Sequence, residues 1–196
     1  MQGLEVFALS DDLSGVKLRS LAKPQRRTGE VLVRIRAASL NFPDLLMTRG
    51  EYQFKPTLPF ISGLEMAGEV VAADADSGLA AGDRVMGGTK TGAFAEFATF
   101  PAGVLRPIPA ALDYEQAAAM GAAYTTAYTA LVEFGQMQAG QWVLIHGASG
   151  GVGMAAVDLA KALGARVIAA SGWASKLERI ARTYTPDATF VAEGRF

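Results

Sequence analysis

The run Ala148-Ser149-Gly150-Gly151-Val152-Gly153 stands between an apolar stretch, Trp142 to His146, and a stretch of helical character reaching Leu163. With alanine in its first position, its glycines at 150 and 153 keep the spacing of the dinucleotide fingerprint. Gly150 would let the backbone approach a pyrophosphate, and Gly153 would let a helix pack closely on its strand. Free N–H groups at the helix start would then face the phosphates, so all six residues are expected to contact a dinucleotide. A second apolar strand, Arg166 to Ala170, follows and supplies the strand–helix–strand context that the motif requires. It ends at Ser171-Gly172, with Lys176 shortly beyond. An acid at that end would accept hydrogen bonds from a ribose 2′-hydroxyl and repel a 2′-phosphate. A hydroxyl at Ser171 and an ammonium at Lys176 suit the phosphate, so NADPH is expected over NADH. Lys176 also reads as a solvated lysine in the first turn of a helix.

Other chemistry is excluded by what the chain lacks. It has 196 residues and no cysteine, so disulfides, cysteine nucleophiles and thiolate zinc sites are out. Its one histidine, His146, leaves no histidine cluster for a metal, and beside the glycine loop it reads as a polar strand-end residue. Eighteen basic against 19 acidic residues give no basic excess to bind nucleic acid or an anionic membrane. The start, MQGLEVFALSDD, carries acids where a signal peptide needs positive charge, and no apolar run is long enough to span a bilayer. A cytoplasmic protein is expected. Hydrophobic residues make up 51% of the chain, enough for a packed core. Glycine is the exception to an ordinary composition, with 22 residues.

Two textures position these residues. Up to about residue 110 the chain reads as short strands separated by turns. Glu30 to Asn41 alternates Val31, Val33 and Ile35 against Leu32, Arg34 and Arg36, the period of a half-buried strand. Gly68–Ala73, Asp83–Met86 and Ala93–Thr99 are further strand candidates, with turn signals at Ser77-Gly78 and Gly82-Asp83. One helix interrupts them, from Pro43 to Arg49, with Asn41 as N-cap, Asp44 three residues on, and Gly50 as the stop. Beyond Pro107 and Pro109 the chain turns alanine-rich and helical, Tyr114 to Phe134, with a break near Gly121. The spacing then predicts strand, helix, strand, helix (Lys176–Arg182) and strand (Ala188–Val191), the order of a parallel α/β sheet.

Several stretches resemble the medium-chain dehydrogenase/reductase superfamily, and within it the zinc-free quinone oxidoreductase (zeta-crystallin-like) branch. They are Gly29-Glu-Val-Leu-Val, Asn41-Phe-Pro-Asp44-Leu-Leu-Met-Thr-Arg49-Gly50-Glu-Tyr52, Leu58-Pro-Phe and Gly63-Leu-Glu-Met-Ala-Gly-Glu-Val70. Gly82-Asp-Arg-Val85, Thr125-Thr126-Ala-Tyr-Thr-Ala-Leu131, the glycine loop and Lys161-Ala-Leu-Gly-Ala165 follow in the same order. The resemblance implies an α/β protein. A GroES-like β-barrel-type substrate domain (1–115) would precede a Rossmann-type NADPH-binding domain (116–196). Zinc-dependent members carry histidine where this chain has Leu64, so no metal site is expected.

The resemblance also implies nicotinamide and substrate contacts at Asn41, Tyr52 and Thr126, with Tyr52 and Asn41 as the catalytic pair. Each has a plainer reading: Asn41 as a helix cap, Tyr52 as a half-exposed loop residue, Thr126 bonding a carbonyl one turn back. The implied activity is metal-free hydride transfer from NADPH to a quinone or related conjugated carbonyl. Reduction of an enone or enoyl thioester is the enzymatic alternative, and a catalytically silent chain is the other. A dinucleotide fold has two βαβαβ halves, and from residue 116 this chain supplies one, so an incomplete second domain is expected. Its uncovered sheet would favour association, and a homodimer is one expected assembly.

Overall fold

The computed structural model describes residues 1–192; the last four positions of the expected second domain, 193–196, lie outside them. The chain divides into two compact units, Met1–Gly121 and the residues from Ala122 onward.

The first unit runs β1 (Gln2–Val6), β2 (Val16–Ser20), β3 (Glu30–Ser39), α1 (Phe42–Arg49), β4 (Phe60–Ile61) and β5 (Glu65–Ala72). It continues through β6 (Arg84–Gly88), β7 (Phe97–Pro101), β8 (Arg106–Pro107) and the short α2 (Tyr114–Ala118). Its strands form two antiparallel sheets, ordered β2-β1-β4 and β7-β3-β5-β6-β8. Apolar residues on alternate positions of β3, β5 and β7 face inward, and Val31, Val33, Met66, Val70, Val85 and Phe100 are buried together.

The half-buried pattern expected of β3 holds only in part, because Leu32, placed on the outer face by the pattern, is buried as well. Leu32 is not part of the cluster that buries Val31 and Val33, so the alternation of facing is kept and the other face of the strand is covered there too. The strand expected at Ala93–Thr99 lies later, at Phe97–Pro101. Ala95 makes only an isolated bridge to Gly3.

Helix α1 forms where its punctuation sets it. Pro43 sits in its first turn and Asp44 places a carboxylate near the positive end. Gly50, at φ 71°, closes it in the left-handed conformation that a side chain resists, and its N–H bonds back to Met47.

The second unit holds α3 (Gly121–Tyr128, starting at the boundary), a π-helical segment Thr129–Phe134, β9 (Trp142–Ile145), α4 (Gly151–Ala162), β10 (Arg166–Ser171), α5 (Ala174–Tyr184) and β11 (Ala188–Val191). The helical stretch expected from Tyr114 to Phe134 is therefore three pieces, interrupted before Gly121 and widened into a π-helical turn by its end. The sheet is parallel, ordered β11-β10-β9. Ala155, Val157 and Ala160 of α4 and Leu177 and Ile180 of α5 bury their apolar stripes with Ile145, Val167 and Ala169 of the sheet. Small residues in α4 let it lie close to β9 and β10. This α/β architecture, with two antiparallel sheets in the first unit and a three-stranded parallel sheet in the second, agrees with the fold class expected from the sequence.

Candidate functional site

In the first unit, the end of β3, the start of α1 and the start of β5 bring four polar side chains together. Asn41 donates from Nδ2 to Glu65 Oε1 at 2.7 Å and to Ser39 Oγ at 3.1 Å. Ser39 Oγ donates to the same Glu65 oxygen. The backbone N–H of Asn41 donates to Asp44 Oδ2 at 2.8 Å, so the carboxylate half of the helix cap is made. The Asn41 amide protons are spent on Ser39 and Glu65, which fixes the orientation of its carboxamide.

Glu65 and Asp44 are both buried, at 6% and 1% exposure. Burial pushes the Asp44 carboxyl above its ordinary value and the Glu65 charge adds to that. The N–H groups of Asn41, Gly63 and Leu64 offset part of the rise. Glu65 and Ser39 were not singled out by the sequence reading. The signal was present: an acid opening the otherwise apolar run Met66-Ala67 asks for a buried partner. Gly121 leaves room for that carboxylate, since a Cβ there would overlap Glu65 Oε2.

Asn41 and Asp44 also line an apolar cavity of about 400 Å³ whose walls include Leu4, Leu13, Val16 and Phe42. Tyr52 is not among its lining residues. It lies half-buried in the loop after α1, packed with Val6, Met47 and Phe60, and its hydroxyl makes no hydrogen bond among the described residues. Leu64 packs against the same cluster. Among the described residues no group of three His, Asp or Glu side chains is placed to hold a metal ion.

In the second unit, the glycine loop joins β9 to α4. Ala148 is fully buried and its N–H donates to Ala170 of β10, which pins the loop to the sheet. Gly150 caps α4, and Gly151, Val152 and Gly153 form its first turn. A Cβ on Gly153 would overlap the Gly147 carbonyl oxygen and come within 2.7 Å of Ala148 Cα, so close packing inside the chain requires glycine there.

Gly150 and Gly151 differ. A Cβ on Gly150 would meet only the Gly147 oxygen at 3.4 Å, and one on Gly151 would meet nothing within 4 Å. Gly150, at φ −85° and ψ 167°, is in a conformation that any residue adopts. Nothing within the described residues demands glycine at these two positions. The open space above them, at the N-terminus of a twelve-residue helix, fits phosphate oxygens approaching the backbone.

Around the loop, Ser149 Oγ and Ser171 Oγ are hydrogen-bonded at 2.9 Å, and Ser171 is buried at 5% exposure. The Ser171 hydroxyl, expected to suit a phosphate, thus has Ser149 as a hydrogen-bond partner. Lys176, exposed on α5, lines a cavity of about 260 Å³ with Ser149, Met154 and Arg179. Arg179 was not singled out from the sequence, although it lies one helical turn beyond Lys176 on the same face. Thr126, exposed on α3, bonds no carbonyl among the described residues, so the one-turn-back hydrogen bond is not made. His146 is exposed in the turn after β9. The residues expected from the sequence thus fall into two groups: Asn41 and Tyr52 in the first unit, and Thr126, the loop, Ser171 and Lys176 in the second.

Known proteins resemble this chain along most of its length. The family model of the alcohol dehydrogenase GroES-like domain matches residues 27–110. The chain is 42% identical over 168 residues to a human synaptic vesicle membrane protein VAT-1 homolog, covering 84% of this chain and 43% of that protein. It is 39% identical over 160 residues to a human quinone oxidoreductase, covering 80% of this chain and 49% of that protein. Its structure matches that of the quinone oxidoreductase from Thermus thermophilus, described in complex with NADPH, with a TM-score of 0.84 and 34% identity. That match covers 96% of this chain and 59% of the solved one. The chain therefore spans about half the length of these curated relatives.

Proposed function

We propose, from its likeness to the GroES-like domain model and to the quinone oxidoreductases, that the chain is of the quinone-oxidoreductase type of the medium-chain dehydrogenase/reductase superfamily and acts as an NADPH-dependent, zinc-free quinone reductase. The observation that carries this reading is the open glycine cradle. Gly150 and Gly151 are glycines that no contact among the described residues requires, placed where a pyrophosphate would rest on the α4 N-terminus. Residues 1–115 then serve as the substrate domain and residues 116–196 as part of the nucleotide domain, in a cytoplasmic protein. The relative's complex with NADPH supports the same cofactor here.

Bound NADPH supplies a hydride, and the substrate is a quinone or related conjugated carbonyl. The chain's own residues bind and orient. The N–H groups of the loop would hold the phosphates and Lys176 would neutralise the 2′-phosphate, while Asn41 and Thr126 are each proposed as contacts of the nicotinamide. The contacts from Ser39 and Glu65 hold the Asn41 carboxamide in one orientation, which is how a neutral side chain contributes to positioning. Tyr52, whose hydroxyl makes no hydrogen bond among the described residues, would donate to the substrate carbonyl oxygen and stabilise the charge that develops there. The apolar cavity beside Asn41 is consistent with an apolar ring substrate.

The test is NADPH oxidation in the presence of a simple quinone. Turnover by the chain is expected, with Tyr52→Phe lowering kcat about ten- to a hundredfold, the loss of one hydrogen bond to developing charge. Failure to oxidise NADPH with either a quinone or an enone would overturn the assignment. Unchanged turnover in the Phe variant would remove Tyr52 from the mechanism.

A further inference from the structure

Helix α5 carries four charged side chains, and the structure treats them unequally. Glu178 and Arg182 pair with each other across one turn at 3.8 Å. Lys176 and Arg179 make no ion pair among the described residues, and both line the cavity that begins at Ser149 of the glycine loop. That cavity, about 260 Å³, is walled on one side by Met154 of α4 and on the other by Ile180 and Tyr184 of α5. Its polar lining combines hydroxyls with these two cations and includes no acid. Two unneutralised cations facing the same small space, spaced three residues apart on a helix, repel each other unless an anion lies between them.

We infer that Arg179 is a specificity-determining residue that, with Lys176, reads the 2′-phosphate of the adenosine ribose from this cavity. The inference rests on the nucleotide reading of the glycine loop and deepens it. The Ser171 hydroxyl, which the sequence offered for that phosphate, is buried and hydrogen-bonded to Ser149, and the cationic pair on α5 supplies the charge that a hydroxyl lacks. The guanidinium supplies a planar fork that can engage two phosphate oxygens at once, whereas the Lys176 ammonium acts as a point charge. Together they would favour a phosphorylated ribose over a free 2′-hydroxyl, without an acid or a serine at the strand end.

The probe pair is adenosine 2′,5′-bisphosphate and adenosine 5′-monophosphate, which differ only in the 2′-phosphate. Their affinities for the 196-residue chain are measured by calorimetry at fixed salt. The chain is expected to bind the bisphosphate at least about tenfold more tightly, and Arg179→Ala to erase about tenfold of that preference. The same variant should leave the affinity for the monophosphate within about twofold, and Arg179→Lys should restore part of the preference. Arg182→Ala is the control, since it removes the same charge from the same helix but from a residue outside the cavity. An unchanged preference in Arg179→Ala, or an equal loss in Arg182→Ala, would overturn the inference while leaving nucleotide binding intact. If neither nucleotide binds, the inference falls together with the reading it rests on. Arg179 is exposed, so its variants are expected to keep the melting temperature of the parent.

Discussion

Gly150 and Gly153 are both glycines of one motif, yet they serve different partners. Gly153 is required by the chain itself, because a methyl group there would overlap the carbonyl of Gly147. Gly153→Ala is expected to destabilise the fold by about 1–3 kcal/mol, the usual cost of overpacking, as measured by chemical denaturation. Gly150→Val should cost less, about 1 kcal/mol for a poorer N-cap, because its Cβ meets only the Gly147 oxygen at ordinary contact distance in an allowed conformation. Asp44 makes a second residue-scale prediction. Its carboxyl is raised by burial, so the folded state holds the proton more tightly than the unfolded chain. For an acid raised in the folded state, stability falls as pH rises from the unfolded value, 3.8, through the folded one. Asp44→Asn removes that cost while keeping an oxygen for the Asn41 N–H. Relative to the parent, the variant should therefore gain stability at neutral pH, and that gain should shrink as pH is lowered toward about 4. A gain independent of pH would show that the buried charge is not its source. The glycines were legible in the sequence because spacing alone marks them. The Asn41–Glu65 contact was not, since it joins residues from separate elements that only the folded sheet brings together.

At the scale of elements, the sequence spoke clearly where punctuation and periodicity agreed. Helix α1 has Asn41, Pro43, Asp44 and Gly50 at its ends, and its observed bounds differ from expectation by one residue at the start. Replacing Gly50 by alanine forces a side chain into the left-handed conformation, and about 1–2 kcal/mol of stability should be lost. The expected strand β11 also coincides with the observed Ala188–Val191. Its position depends on Asp187, which accepts from Lys161 Nζ at 2.8 Å and from the Val167 N–H at 2.7 Å. Lys161 foremost, with the Val167 N–H, holds that carboxyl below its ordinary value, so its contribution is present above 3.8 and fades as pH falls below it. Asp187→Ala should lower the melting temperature at neutral pH and lose that effect in acid. The elements missed or displaced were those fixed by pairing rather than by pattern. Phe97–Pro101 is a strand because β3 lies beside it, and Leu32 is buried because the outer face of β3 is covered, which its own sequence does not announce.

At the scale of the whole molecule, a superfamily fold was legible because motifs recur in order along most of the chain. Its chemistry was legible only in part. The glycine loop suggests a dinucleotide by its spacing, while the role proposed for Arg179 rests on a cavity that only the folded α5 and loop form together. The three-stranded parallel sheet presents Trp142, Leu144 and Phe190 at its surface, each more than half exposed, on the two strands that have a neighbour on one side only among the described residues. The proposed activity depends above all on a nicotinamide dinucleotide resting on the glycine loop. A fluorescence titration of NADPH with the chain and with its Gly150→Val variant, each checked by its melting temperature to be folded, measures that binding. Saturable binding is expected, tighter for NADPH than for NADH, with a loss of at least about tenfold, near 1.4 kcal/mol, when the valine side chain occupies the phosphate space. Equal binding by the parent and the variant, or no binding by a folded parent, would show that the loop does not hold the dinucleotide.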